Sequence, residues 1–524
     1  MDVLQHIYSL MPMRDAARAA CVSSRFLRFW RRYPNLAFNQ ESLAARRQPF
    51  LRSKGSGKYV FSKAKQVLAK HSGIGVKTLQ LNLSTCCKED ISTSLLDGWL
   101  RTFVKPGIAK LVVLLPECYE HEYNFPCSLL SSDETGSSLM ISLQYLSLTS
   151  CGFHPIEGRP RLLGCSNSLS RVCLRKVSVT ERELGSFLSN CFALERLDLS
   201  NCDMVTSLKI PCVLQKFSVL QVKTCRLLRM IESEAPNFST FSYEGWPLER
   251  FSLGNSLDTK KLDMRATHMG DMIQYAGNNL PSIAKKLEAL FLATVHEKLK
   301  APTMVDKFQH LKHLVICLGE SGRFCSGYNF FSLACFLHAC PALESFILRP
   351  MIFDNGKIAE GFAWYNKFVI VGKPEQDSSH PMQDIPAFHH CNLGNLRKVV
   401  ITGFCSAKSL VQLTCHIVES ASSSLQSLTL DTSPGYDRKR SSTDRCWPMR
   451  VEALQEAEKA LTAVRRDVEP MIPAGIELKV LGPCNRCHAM DAKAMKEAES
   501  RIPRSFLQRQ EDGSVVLVLV QPRP

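Results

Sequence analysis

The 524 residues are 45% hydrophobic and 22% charged, the balance of a folded protein, and no apolar run reaches the ~18 residues needed to cross a membrane. The opening Met1-Asp2-Val3-Leu4 lacks a basic region followed by an apolar core, so secretion is not expected; the 22 cysteines then read as small buried hydrophobes in the reducing cytoplasm or nucleus, not as a disulfide framework. The net charge of +16 is unevenly placed: residues 1–70 hold fourteen Lys and Arg against Asp2, Asp15 and Glu41, which points to an acidic partner for that segment, either protein or nucleic acid.

Residues 1–39 read as a small helical module. Val3, Leu4, Ile7 and Leu10 make an apolar face at helical spacing, and Pro12 breaks that helix. Asp15 opens an Ala-rich helical segment. Ser23 suits the N-cap of a third helix carrying Phe26, Leu27 and Trp30, which Pro34 stops. On pattern alone this is a cap for the array that follows. The same residues resemble an F-box: Asp2-Val3-Leu4, Ile7, Leu10-Met11-Pro12, Arg14-Asp15-Ala16-Ala17 and Val22-Ser23-Ser24-Arg25-Phe26 through Trp30, followed by Tyr33-Pro34-Asn35-Leu36 as in plant F-box proteins. The usual Leu-Pro-acid opening would precede Asp2, and Phe26 stands where Trp is common.

Residues 40–72 are basic and read as a solvated linker with a short helix near 62–70. Gly57-Lys58 is no phosphate loop: Arg52 replaces the required first Gly, and Tyr59 stands where Ser or Thr must reach magnesium.

Residues 73–432 repeat a phrase, L-x-x-L-x-L, clearest as Leu143-Gln-Tyr-Leu146-Ser-Leu148-Thr-Ser-Cys151 and Leu194-Glu-Arg-Leu197-Asp-Leu199-Ser-Asn-Cys202. Further copies begin at Leu169, Phe217, Leu248, Leu287, Leu311, Leu343, Leu396 and Leu425, spaced from about 24 to more than 50 residues. The last two leucines lie two apart, so on a strand both enter the core while the residue between points out. The expected fold is therefore an α/β leucine-rich-repeat solenoid of short parallel strands and helices, preceded by the helical module. Segments such as 181–191 and 331–340 would cover the far face, and 352–390 is the largest insertion. If the sheet is concave, its outward positions form the binding face: Tyr145, Ser147, Arg196, Asp198, Gln221, Lys223, Phe291, Arg349, Lys398 and Thr402. Their mixed chemistry names no ligand.

A polar linker, 433–449, leads to a C-terminal region, 450–524. It holds a helix near 451–466, a strand through Ile476, Leu478 and Val480, and a last strand, 515–520, placed at the solenoid's end. Cys484-Asn-Arg-Cys487-His488 matches haem attachment or half a zinc site. Haem attachment needs an exported chain, and zinc needs a second ligand pair that is not nearby; a turn after a strand is the simpler reading. Residues 450–490 resemble the C-terminal region of plant F-box/LRR proteins of the FBD-like type, which favours a structural role and no metal or cofactor. No G-x-S-x-G, H-E-x-x-H or G-x-G-x-x-G occurs.

Resemblance to plant F-box/LRR proteins implies a non-catalytic substrate receptor of an SCF-type ubiquitin ligase. Leu4, Ile7, Leu10, Pro12, Val22 and Trp30 would face or shape a Skp-type adaptor, the adaptor would bind a cullin, and the solenoid would hold an unnamed target. A repeat scaffold that recruits no ligase stays open. So does nucleic-acid binding through residues 14–70, although aromatic stacking residues are sparse among those cations. A zinc enzyme centred on Cys484 and Cys487 is the remaining class.

Overall fold

The computed structural model describes residues 3–43, 56–87, 90–119, 123–130, 142–155, 167–254, 259–269, 271–295, 297, 306–321, 329–353, 393–432, 451–484, 507–509 and 515–517. They divide into two compact units, Met1–Thr259 and Lys260–Pro524.

Unit 1 opens with three short helices, α1 (Val3–Leu10), α2 (Met13–Ala19) and α3 (Ser24–Trp30). The strand β1 (Asn35–Phe38), the single turn α4 (Gln40–Leu43) and the helix α5 (Ser56–Leu68) follow. The basic stretch expected as a solvated linker thus contains a helix longer than expected, and it packs: Val60, Phe61, Ala64 and Leu68 are buried, with Phe61 5.3 Å from Trp99. Its apolar residues recur at i, i+4 and i+8, so the lysines lie on the remaining arc.

The main sheet of unit 1 runs β1, β2 (Thr78–Asn82), β3 (Lys110–Leu114), β4 (Tyr145–Thr149), β5 (Arg171–Arg175), β6 (Arg196–Ser200), β8 (Val219–Lys223) and β10 (Thr240–Gly245), all parallel. Its register explains the repeated phrase. Leu36, Leu79, Leu111, Leu146, Val172, Leu197, Leu220 and Phe241 stand side by side as one buried ladder. Two residues on, Phe38, Leu81, Val113, Leu148, Leu174, Leu199, Val222 and Tyr243 form a second. Each rung is unstable alone and becomes a core only when stacked. The terminal Cys of the phrase has its own reason. Ser150, Asn201 and Thr224 take left-handed φ of 56°, 54° and 50° just past their strands, turning the next residue inward. Cys151, Cys202 and Cys225 are accordingly buried. Burial pushes the Cys151 thiol up to about 12, and Cys202 and Cys225 hydrogen-bond each other. The cysteines whose side chains are described are free thiols.

One copy of the phrase is elsewhere than expected. Leu248-x-x-Phe251-x-Leu253 does not supply a main-sheet strand; β11 (Arg250–Ser252) joins β9 (Met230–Ser233) and β7 (Ser207–Ile210) in a second, three-stranded parallel sheet. The main-sheet strand there is β10, from Phe238-x-x-Phe241-x-Tyr243, with aromatic rings in the leucine positions. The cause is length. Strands β6, β8 and β10 begin only 21 to 23 residues apart. That leaves the return limb too few residues for a helix at 1.5 Å per residue but enough for a strand at ~3.3 Å. Elsewhere in the unit, helices return: α6 (Thr93–Phe103), capped by Ser92, and α7 (Glu181–Leu188), closed by a capping box of Thr180 and Glu183.

Unit 2 repeats the plan with β12 (Lys261–Met269), β13 (Ala289–Val295), β14 (His313–Ser321), β15 (Ser345–Phe353), β16 (Lys398–Thr402), β17 (Ser427–Asp431) and β18 (Glu477–Leu481), again parallel. Leu262, Leu290, Leu314, Phe346, Val399 and Leu428 make its buried ladder. The helices are α8 (Met272–Ile283), α9 (Leu333–His338), α10 (Lys408–Ser420) and α11 (Val451–Ala463). The C-terminal strand 515–520 was expected at the solenoid's end. Among the described residues, β20 (Val515–Leu517) instead pairs antiparallel with β19 (Leu507–Arg509). The insertion expected over 352–390 begins inside β15, which runs to Phe353; its residues 354–390, and Cys487 and His488, lie outside the described residues.

Helix α8 is capped from a distance. Asp271 precedes it without a side-chain cap, and the backbone N–H groups of Ile273 and Gln274 donate to the Glu297 carboxylate at 3.0–3.1 Å. Glu297 is buried, which raises its pKa. Glu297→Ala should cost about 2 kcal/mol in urea denaturation, because two N-terminal donors lose their acceptor inside the protein. Glu297→Gln, which keeps an acceptor, should cost less.

Candidate interaction surfaces

The N-terminal helices form a tight aromatic knot. Tyr8 is buried, its hydroxyl donates to the Ala16 carbonyl, and its ring lies 5.7 Å from Phe26, 5.8 Å from Phe29 and 6.1 Å from Tyr33. Tyr33 donates to the Met11 carbonyl at 2.6 Å and stacks on Trp30 at 5.5 Å. Ser23 caps α3, accepting from the Arg25 N–H at 3.2 Å.

This packing turns the apolar stripe of α1 outward. Tyr8 is the buried residue of the helix, whereas Val3 and Leu10 are 72% exposed, Ile7 56% and Leu4 38%. Val22, between α2 and α3, is 83% exposed, and Pro12 is exposed beside them. A soluble helix normally hides its stripe. Of the six residues expected to face or shape an adaptor surface, Leu4, Ile7, Leu10, Pro12 and Val22 are exposed. Trp30 is buried and stacked against the buried Tyr33, where it can shape that surface.

The outward face of the sheet in unit 1 brings three expected residues into one network. Arg196 Nε donates to both Asp198 carboxylate oxygens at 2.8 and 2.9 Å, and its Nη2 donates to Gln221 Oε1 at 2.9 Å. Tyr145 stands under the Lys110 ammonium, 5.3 Å from the ring centroid, and burial raises its phenol pKa. Lys223 is half-buried at the far end of β8. In unit 2, Phe291 lies under the Arg265 guanidinium at 4.7 Å, and Arg265 is itself paired with Asp263 through two 2.8 Å hydrogen bonds. Arg349 and Lys398 are exposed. The sequence reasoning missed Lys110, Asp263 and Arg265. The phrase before β12 starts with Thr259 in place of leucine, which hid the repeat that aims Asp263 outward.

A half-buried histidine pair lies on the helical side of unit 2. His338 Nε2 and His416 Nε2 are 2.8 Å apart, so one donates and the other accepts. Ser420 Oγ is 3.5 Å from His416, and the Phe331 ring 5.7 Å. Burial lowers His338 to about 4, aided by His416, and also lowers His416, although Glu419 acts the other way. A depressed histidine stabilises the fold above its unfolded value and loses that contribution as it is protonated. Stability should thus fall between about pH 6.5 and pH 4 by about 1–2 kcal/mol, allowing for partial exposure. Urea midpoints across that range should flatten in His338→Phe relative to the parent.

Among the described residues no group of three or more His, Cys, Asp or Glu side chains could hold a metal ion, and no helix is long and apolar enough to cross a membrane.

A family model described as At1g61320/AtMIF1, LRR domain, matches residues 67–485. An Arabidopsis thaliana protein named as an FBD-associated F-box protein, At1g61330, is 25% identical over 361 residues, covering 66% of this chain and 74% of its own length. The Arabidopsis thaliana F-box/FBD/LRR-repeat protein At1g13570 is 26% identical over 212 residues, 40% of this chain and 45% of that protein. The FBD-associated F-box protein At1g61320 of the same plant is 28% identical over 225 residues, 40% of this chain and 47% of that one. The ladders of buried leucines and the span of the match agree: this chain belongs to the At1g61320/AtMIF1 LRR domain family.

Proposed function

We propose that this chain is the substrate-recognition subunit of an SCF-type ubiquitin ligase. Residues 1–39 act as the F-box and dock on a Skp-type adaptor, which binds a cullin. The repeats over 73–432 hold the target protein, and 450–524 closes the array. The observation that carries the reading is the apolar stripe of α1 turned to solvent, with Pro12 and Val22 of the same module also exposed. Exposed apolar area of that kind marks a protein contact. Three relatives with F-box in their names support it. The basic excess of residues 1–70 suits an acidic adaptor.

The chain supplies no catalytic residue in this mechanism. Recruitment raises the effective concentration of target lysines beside a charged ubiquitin-conjugating enzyme, a gain of proximity rather than of bond chemistry. The complex works in cytoplasm or nucleus. The test is co-purification of the full chain with a recombinant Skp-type adaptor, followed by addition of cullin. A ternary assembly is expected. No adaptor capture at micromolar concentration would make the chain a repeat scaffold outside any ligase.

A further inference from the structure

The line of outward residues in the middle of each strand differs between the units. In unit 1 it reads Ala37, Gln80, Val112, Ser147, Cys173, Asp198, Gln221 and Ser242 across β1 to β6, β8 and β10, with no two large apolar residues adjacent. In unit 2, Phe291, Val315, Ile347 and Val400 stand side by side on β13 to β16. All four are only partly buried. These positions add nothing to the core between the two leucine ladders. β-Branching alone suits Val315, Ile347 and Val400 to strands, yet the equally regular β4, β6, β8 and β10 of unit 1 carry polar residues on the same line. The row spans three strand spacings, about 14 Å.

On β13 to β16 themselves the outward charge is one-sided, although Asp431 stands beside Thr402 on β17. Arg349, two residues after Ile347, and Lys398, two before Val400, are exposed on the same face. Arg265 covers one side of Phe291, with Asp263 already engaged by it. The acids at the near edge of the sheet are also engaged, Glu288 by Lys260 at 3.6 Å and Glu344 by Lys312 at 3.8 Å. Among the described residues, the outward positions of β13 to β16 hold no acid.

We propose that this row is where the target protein docks, and that the docking segment is acidic and bears apolar side chains. Its apolar side chains lie on Phe291, Val315, Ile347 and Val400, and its carboxylates reach Arg349 and Lys398. This rests on the reading that the repeats hold a target, and it names the half of the array and the chemistry. An acidic segment fits because a basic one would desolvate Arg349 and Lys398 against like charge.

The probe is a displayed random peptide library selected on the immobilised full chain, in parallel with Ile347→Glu and Arg349→Glu chains. Enriched peptides should combine Asp or Glu with Leu, Phe or Trp. They should bind the parent at least tenfold more tightly than either variant, and more weakly as salt rises. Ile347→Ser, a milder change at a partly exposed site, should also weaken binding if Ile347→Glu fails to fold. No enrichment, enrichment of basic peptides, or equal enrichment on parent and variants would overturn the proposal. So would dimerisation of the chain that Arg349→Glu abolishes in light scattering, since the occupant is then a second copy. Adaptor capture is measured on the same proteins and should be unchanged. Peptide binding without adaptor capture keeps this surface and sinks the ligase reading; capture without peptide binding does the reverse.

Discussion

Replacing Ile7 and Leu10 together by aspartate should weaken adaptor binding at least about a hundredfold while leaving the free chain's stability within about 1 kcal/mol. Both side chains lie on the solvent side of α1, 56% and 72% exposed, so the folded module loses little when they change. In a docked complex the same side chains leave water, each contributing about 1.5–3 kcal/mol by apolar burial. A carboxylate in their place would also have to be desolvated without a partner. The two effects act in the same direction, and the first alone reaches two orders of magnitude in affinity. The comparison that isolates the surface is Tyr8→Ala. Tyr8 is buried and holds α1 through the Ala16 carbonyl and three aromatic rings, so its loss should unfold the module and remove adaptor binding together. Calorimetric binding and thermal denaturation on the same samples separate the cases. Weak binding with an unchanged melting temperature marks a surface residue. Unchanged binding by Ile7→Asp/Leu10→Asp would remove α1 from any adaptor contact.

Much of the architecture was legible because a solenoid writes its register into its sequence. Two leucines two apart, with a third three residues earlier, can be buried together only on a strand, and recurrence forces those strands to stack. What could not be read was which limb of a turn a phrase occupies. Leu248-x-x-Phe251-x-Leu253 is a better leucine phrase than Phe238-x-x-Phe241-x-Tyr243, yet the latter lies in the main sheet. Both limbs of a short turn are strands with one buried face, so both carry the same period. The candidate site was legible to a different depth. The helical spacing of Val3, Leu4, Ile7 and Leu10 announced an apolar stripe, but spacing does not say whether the stripe faces a core or solvent. That was decided by Tyr8, whose ring competes for the interior with three neighbouring aromatics. On the sheet, Arg196, Asp198 and Gln221 were placed on one face by the phrase, while their mutual hydrogen bonds depend on adjacent strands aligning Asp198 with Gln221. Trp30 was expected from its motif position to face or shape the adaptor surface, and its motif position alone did not say that it is buried.

The same misplaced phrase yields the largest expected loss of stability. Phe241→Ala should destabilise unit 1 by about 4 kcal/mol, within the range for a fully buried phenylalanine truncated in a core that cannot collapse. Phe241 is the last of eight rungs in the first buried ladder of the unit, beside Leu220. Its ring lies 5.0 Å from Phe251, 5.9 Å from Tyr243 and 6.3 Å from Phe238. It therefore joins the main sheet to the second sheet, and alanine would leave a void with regular strands on both sides. Phe251 belongs to the three-residue strand at the edge of the second sheet and keeps 6% exposure, so Phe251→Ala should cost less, about 3 kcal/mol at most. The order of the two is the informative result. If Leu248-x-x-Phe251-x-Leu253 were the main-sheet rung, Phe251 would be the more costly loss, and Phe241 would behave as a residue of the return limb. Urea denaturation of both variants, followed by far-ultraviolet circular dichroism, measures that order directly. A solenoid passes the loss of one rung to its neighbours through the interfaces between turns. The Phe241→Ala transition should accordingly broaden as well as shift, because the turn that carries β10 would no longer melt together with the rest of unit 1.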